Sequence, residues 1–126
     1  PDRSPRILTM LVGEAECYLS ALGGDGGGVA ENVNRWRRQM GDYVLSQEEI
    51  DGLRTIPILG YASPIMDAAG TYRGMGGEEI EDALLLGTVT SMGEMTLFIK
   101  MIGPRETVDA ERDAFESFCK SLELRR

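Results

Sequence analysis

The stretch with the clearest potential for chemistry is a glycine-rich segment that runs into a helical pattern, LGGDGGGVAENVNRWRRQM over residues 22–40. A glycine-rich loop before a helix presents free backbone N–H groups, and these groups together with the positive end of the helix dipole suit an anion. Polar side chains at the start of the helix could add to such a site. The predicted ligand-binding residues are Gly26, Gly27, Gly28, Asn32, Asn34 and Arg35.

The same segment lacks the residues that a nucleotide-binding loop requires. Gly23 and Gly28 have the spacing of GxxxxGK[ST], but Val29 and Ala30 stand where the lysine and the hydroxyl belong. A dinucleotide fingerprint, GxGxxG, fails at its last position and lacks the βαβ context. Two alternatives stay open: the glycines only turn the chain into the helix, or they order over a ligand.

The composition excludes the most common groups of catalytic residues. The chain has no histidine, which excludes Ser-His-Asp and Cys-His nucleophile systems and leaves zinc without its usual nitrogen ligand. Glu78, Glu79, Glu81 and Asp82 form the densest carboxylate cluster, which we interpret as an exposed acidic turn. We predict no catalytic residues, no cofactor and no metal site. The enzymatic alternative is an anion- or carboxylate-dependent reaction at the glycine-rich loop and Arg35.

Charge and hydropathy limit the classes of partner that the chain is expected to bind. The chain carries 21 acidic and 13 basic residues, a net charge of −8, whereas nucleic-acid binding needs a basic face. No stretch approaches the ~20 apolar residues of a membrane span. We therefore expect a protein or small-molecule partner, with a homodimer as an open alternative. Because the chain begins with Pro1, we also expect that an upstream segment has been removed.

The apolar patterning predicts one α+β domain over residues 1–126, with an antiparallel sheet of about six strands and helices packed on its faces. The six predicted strands cover residues 6–12, 15–21, 55–59, 63–67, 83–91 and 95–102. The predicted helices cover residues 29–40, a short turn at 46–50, and a longer stretch from Pro104 to residue 122. Cys17 and Cys119 are interpreted as two buried free thiols.

Two motifs resemble a known family. Residues 26–39, GGGVAENVNRWRRQ, resemble the GG-x-x-ANVNRWRGQ signature of small uncharacterised proteins found mainly in bacteria such as planctomycetes and verrucomicrobia. Residues 96–104, TLFIKMIGP, resemble the family's WFFKLxGP junction between a strand and a helix. The chain departs from the pattern at Arg38, where the family has glycine, and at Thr96, where an aromatic residue is usual.

The resemblance implies the Mog1/PsbP type of fold, an α/β/α sandwich around an antiparallel sheet. It also implies an amino-terminal signal or lipoprotein segment, and hence an exported, extracytoplasmic protein that is periplasmic, secreted or lipid-anchored. No catalytic residues are established for the family, and known proteins of that fold are mainly binding or assembly factors. The leading hypothesis is therefore a non-enzymatic ligand- or partner-binding domain; the alternatives are the enzyme described above and a structural assembly module.

Overall fold

The computed structural model of the chain describes residues 6–23, 28–74 and 76–123. Within these residues six strands form one antiparallel sheet in the order β1-β2-β6-β5-β4-β3. The strands are β1 (Arg6–Val12), β2 (Ala15–Gly23), β3 (Thr55–Ile58), β4 (Tyr61–Arg73), β5 (Glu79–Ser91) and β6 (Met95–Pro104). The helices are α1 (Val29–Gln39), α2 (Gln47–Asp51), α3 (Arg105–Ala110) and α4 (Arg112–Lys120). The predicted α+β class is confirmed.

The helices cover both faces of the sheet, because successive side chains of a strand point to opposite faces. On one face, Leu85 of β5 lies in a buried cluster with Val33 and Trp36 of α1. On the other face, its neighbours along the strand pack with Phe115 of α4 and with α3. The central strand β5 is consequently buried on both sides, as its Leu84-Leu85-Leu86 run predicts.

Four strands, β2, β4, β5 and β6, are longer than predicted, and β4 and β5 extend the furthest. β4 continues to Arg73 and β5 begins at Glu79, so three of the four clustered acidic residues lie in a strand rather than in a turn, although all four are exposed. The missed part of β4 reads AAGTYR, whose alanines and glycine have low strand propensity. The fold requires Gly70 there, since a Cβ on it would lie 2.2 Å from the carbonyl oxygen of Met40. Tertiary packing thus overrides local propensity.

The carboxyl-terminal helix is divided, and its start differs from the prediction. The chain forms α3 and α4 with Glu111 between them, instead of one continuous helix. Pro104 ends β6 and precedes the first turn of α3. The short helix predicted near residue 46 is present, and Ser46 and Glu49 form its capping box.

The outer edge of β4 is closed by side chains from the end of α1 and the residues that follow it. The guanidinium of Arg37 donates through Nη1 to the carbonyl oxygen of Asp67 at 2.8 Å. The backbone N–H of Ala69 donates to Oδ2 of Asp42 at 3.2 Å, and Arg37 and Asp42 form an ion pair at 3.2 Å. Side chains therefore satisfy backbone groups that a neighbouring strand would otherwise pair.

Both cysteines are free thiols in the core between the sheet and α4. Burial raises the pKa of Cys17 to about 11. Burial also raises the pKa of Cys119 to about 12, with the nearby Cys17 as a second cause. Because the thiolate is the reactive form, both cysteines are inert in the folded protein near neutral pH.

We expect the folded protein to release no thionitrobenzoate from Ellman's reagent at pH 8, and to release two equivalents per chain in guanidinium chloride. The raised pKa values have a second effect, because unfolded thiols ionise first. The free energy of unfolding should fall as the pH rises from 9.0, the ordinary value, towards about 11. Rapid labelling of either thiol without denaturant would contradict the described burial.

Candidate functional site

Only one of the three predicted ligand-binding glycines lies among the described residues. Gly26 and Gly27 lie outside the described residues, whereas Gly28 immediately precedes α1 with a φ of 85°, a backbone conformation that favours glycine. The side-chain amide of Asn32 donates through Nδ2 to the carbonyl oxygen of Gly28 at 2.6 Å. Asn32 therefore ties the end of the glycine-rich segment to the helix.

Asn34 makes a structural contact on a different side of α1. Its Nδ2 donates to the carbonyl oxygen of Leu45 at 2.9 Å, and its Oδ1 accepts from the N–H of Leu45 at 2.8 Å. Both ends of the amide are thus occupied by the segment between α1 and α2. The ligand-binding role of Asn34 stays a prediction, and its position separates it from the residues considered next.

Arg35 and Asn34 lie on different flanks of α1. Residues three and four positions apart share a helix face, so Asn32, Arg35 and Gln39 form one flank. The other flank carries Arg37 and faces β4, which directs the Arg35 flank towards β6 and β2. Trp36 lies beneath the helix with no exposed surface.

Trp36 contacts two side chains of β6, Phe98 and Lys100, and Lys100 also lies near Tyr18 of β2. The Trp36 ring meets the ring of Phe98 edge-on, with the centroids 6.4 Å apart. The Nζ atom of Lys100 lies 5.8 Å from the Trp36 ring and 5.6 Å from the ring of Tyr18. The ammonium group thus lies within cation–π distance of two aromatic rings.

An unusual number of polar side chains is buried where β2 pairs with β6. Ser20, Thr96 and Lys100 are 1%, 0% and 6% exposed, and they lie on the α1 face, as Phe98 does. We call these residues and the α1 flank the polar cluster. The polar cluster consists of Tyr18, Ser20, Asn32, Arg35, Gln39, Thr96 and Lys100.

Several polar atoms of α1 in this region have no partner among the described residues, although each is shielded from solvent. These atoms are Nε and Nη2 of Arg35, Nε1 of Trp36 and Oε1 of Gln39. A buried polar atom without a hydrogen bond costs about 1–3 kcal/mol, and more when the group is charged. Native proteins contain few such atoms. The atoms of Arg35 and Gln39 share one flank of α1, which is therefore the candidate site.

Sequence reasoning identified Arg35 and Asn32 but missed the strand side of the cluster. One signal was available for Lys100, which is one of two lysines and interrupts the apolar strand sequence TLFIKMI. A lysine at a strand position whose neighbours are buried is rare unless it has a partner. Nothing in the sequence indicated that Tyr18 lies opposite it, since that pairing depends on the register of β2 and β6.

A concave region lies on the opposite face of the sheet. This groove of about 850 Å³ has a floor that includes Leu84 and Leu86, and its walls come from α3, α4 and the edge of β4. Its rim is charged, but oppositely charged side chains pair with each other: Arg54 with Glu116, and Arg112 with Asp67. The hydrogen bond from Arg54 lowers the pKa of Glu116. Among the described residues, no buried side-chain polar atom that lines the groove lacks a hydrogen-bond partner. The polar cluster is therefore the stronger candidate site.

Within residues 6–23, 28–74 and 76–123, no group of three or more histidine, cysteine, aspartate or glutamate side chains is arranged to hold a metal ion. In the same residues, no helix combines the length and the apolar character needed to cross a membrane.

Comparisons with known proteins give a fold similarity and no family. No protein-family model matches the chain, and no curated protein sequence matches it. The chain is similar to the crystal structure of PA94 from Pseudomonas aeruginosa, described as a protein of unknown function and a candidate regulator. The TM-score is 0.57 at 14% identity, and the match covers 100% of this chain and 89% of that chain. At this identity the similarity supports the fold alone.

Proposed function

We propose that this chain is a non-enzymatic binding domain that holds an anionic ligand, or an anionic group of a partner, in the polar cluster beside α1. The observation that carries the proposal is the set of buried donors without acceptors, Nε and Nη2 of Arg35 and Nε1 of Trp36. An oxyanion supplies the acceptors that these N–H groups lack. Hydrogen bonds between ionised groups are about twice as strong as neutral ones.

The charges around the site favour an anion. Arg35 contributes a positive charge from the helix and Lys100 contributes one from the sheet, although the chain as a whole carries −8. Glu16, which lies on the same face of β2 as Tyr18, accepts a hydrogen bond from the Tyr18 hydroxyl. Arg35 and Lys100 thus place positive charge on the α1 face of the sheet, and positive charge attracts an anion.

The proposal includes an extracytoplasmic location and a Mog1/PsbP-like fold, both supported by the family resemblance of residues 26–39 and 96–104. Binding or assembly is the usual role of that fold. The enzymatic alternative would use the same place, with Lys100 and Tyr18 as the titratable groups beside the bound anion. Turnover of a bound substrate that is lost in Lys100→Met would favour the enzyme over the binding domain.

Binding can be followed through Trp36, the only tryptophan of the chain, because its indole N–H belongs to the site. We expect acetate, sulfate or inorganic phosphate to change its fluorescence in a saturable way, with calorimetry to confirm the affinity. Arg35→Met should weaken the best of these ligands about tenfold or more, since it removes charge-assisted hydrogen bonds.

The matched control is Arg38→Met, which removes the same charge from an exposed position of the same helix. Arg38→Met should leave the affinity within about twofold, because an exposed charge in salt solution is screened. The proposal fails if none of the three anions binds at millimolar concentration, or if both variants lose the same affinity. Far-UV circular dichroism of both variants establishes that they are folded.

A further inference from the structure

The two unpartnered nitrogens of Arg35 lie on the same edge of its guanidinium group. In the planar fork of arginine, the Nε–H and one Nη2–H bond point in parallel, at a spacing that matches the two oxygens of a carboxylate. Both of these atoms, and not Nη1, are the buried nitrogens of Arg35 without a partner in the described part of the chain. The open position is therefore bidentate.

Trp36 and Gln39 add a third donor and an acceptor. The indole Nε1 is a donor only, so it needs an acceptor from outside the described residues. The Oε1 atom of Gln39 lies one helical turn beyond Arg35, and as an acceptor it needs a hydrogen. A simple carboxylate such as propionate has no hydrogen to donate there.

We infer that the ligand is a small carboxylate with a hydrogen-bond donor next to its carboxylate group, that is, a hydroxy acid or an amino acid. The carboxylate oxygens accept from Arg35 and Trp36, and the adjacent hydroxyl or ammonium group donates to Oε1 of Gln39. This inference rests on the proposed function, because it specifies the ligand of the same site. It uses the donors of Arg35 and Trp36 together with the acceptor of Gln39, an arrangement that neither residue type nor charge alone would give.

Three ligands of similar size test the inference with the unmodified protein. Propionate, L-lactate and L-alanine share a three-carbon carboxylate skeleton and differ by a hydrogen, a hydroxyl and an ammonium group. In calorimetric titrations followed also by Trp36 fluorescence, we expect lactate or alanine to bind about fivefold or more tightly than propionate, the effect of one additional hydrogen bond. The better of the two identifies the donor as a hydroxyl or an ammonium group.

Gln39→Leu supplies the matched variant. It should abolish the difference between propionate and the better ligand while leaving the propionate affinity within about twofold, because only the donor of the ligand loses its acceptor. Gln47→Leu is the control, since Gln47 is an exposed glutamine in α2. It should preserve the difference.

The outcomes separate the inference from the proposed function. The inference would be overturned by equal affinities for the three ligands, or by a Gln39→Leu variant that weakens all of them alike. If binding still depended on Arg35, the proposed function would nevertheless stand. Tighter binding of inorganic phosphate than of lactate and alanine would overturn the carboxylate class. Binding of none of these ligands would overturn both. The comparison of ligands uses the native chain, so it stands even if Gln39→Leu fails to fold.

Discussion

Replacing Arg37 by methionine should lower the free energy of unfolding by about 3–5 kcal/mol, the usual effect of removing one partner of a buried ion pair. The Arg37 side chain is 7% exposed and that of Asp42 is 22% exposed, so the remaining carboxylate would be left largely shielded and unpaired. The guanidinium also donates to the carbonyl oxygens of Tyr43 and Asp67. Both acceptors would lose their partner in the variant.

Urea unfolding followed by far-UV circular dichroism measures this effect, and Arg38→Met is the control. Arg38 is exposed, and its substitution should change the free energy of unfolding by less than about 0.5 kcal/mol. A double-mutant cycle with Asp42→Asn isolates the ion pair, because the two losses should not add. Equal effects of Arg37→Met and Arg38→Met would show that the pair contributes nothing to the stability.

Trp36→Ala should cost about 3–5 kcal/mol, since it opens a cavity in the core between α1 and the sheet. The indole is completely buried, and it rests on Gly87 of β5. A Cβ added to Gly87 would lie 2.4 Å from Cζ3 of Trp36. The glycine thus provides the space that the tryptophan occupies.

The fit between Trp36 and Gly87 predicts how a second substitution changes the free energy of unfolding. Gly87→Val alone should destabilise the protein by about 1–3 kcal/mol through overpacking. In the Trp36→Ala background the same valine fills part of the cavity, so the double variant should be more stable than Trp36→Ala. Circular dichroism during urea unfolding gives all four free energies of unfolding. An equal penalty for Gly87→Val in both backgrounds would contradict the described contact.

The α+β architecture could be predicted from the sequence because short-range residue patterns indicate its helices and strands. The stripe of Val29, Val33, Trp36 and Met40 defines α1, and alternation and turns define the hairpin of β1 and β2. The extension of β4 could not be predicted, because AAGTYR gains its strand conformation from pairing with β5 and from the approach of Met40 to Gly70. Non-local contacts of this kind leave little trace in local composition.

Only part of the candidate site could be predicted from the sequence, as with the fold. Asn32 and Arg35 stand on one helix, so their relation follows from helical spacing alone. Lys100 and Tyr18 reach the same place through the register of two strands that are about 80 residues apart in the sequence. The separation of Asn34 from the cluster depends on Leu45, a contact outside the helix. Side chains that one element carries could be grouped in advance, whereas those from several elements required the fold.

The closure of the β4 edge also determines how far this sheet could grow by strand addition. At that end, β3 is short and contains Pro57, which has no N–H to donate. On β4, Arg37 binds the carbonyl oxygen of Asp67 and Asp42 binds the N–H of Ala69. At the other end, β1 has no further strand beside it among the described residues. In the described part of the sheet, strand addition is thus hindered at the end formed by β3 and β4. A second copy that pairs through β1 would therefore form a two-fold dimer rather than a continuing series of strands.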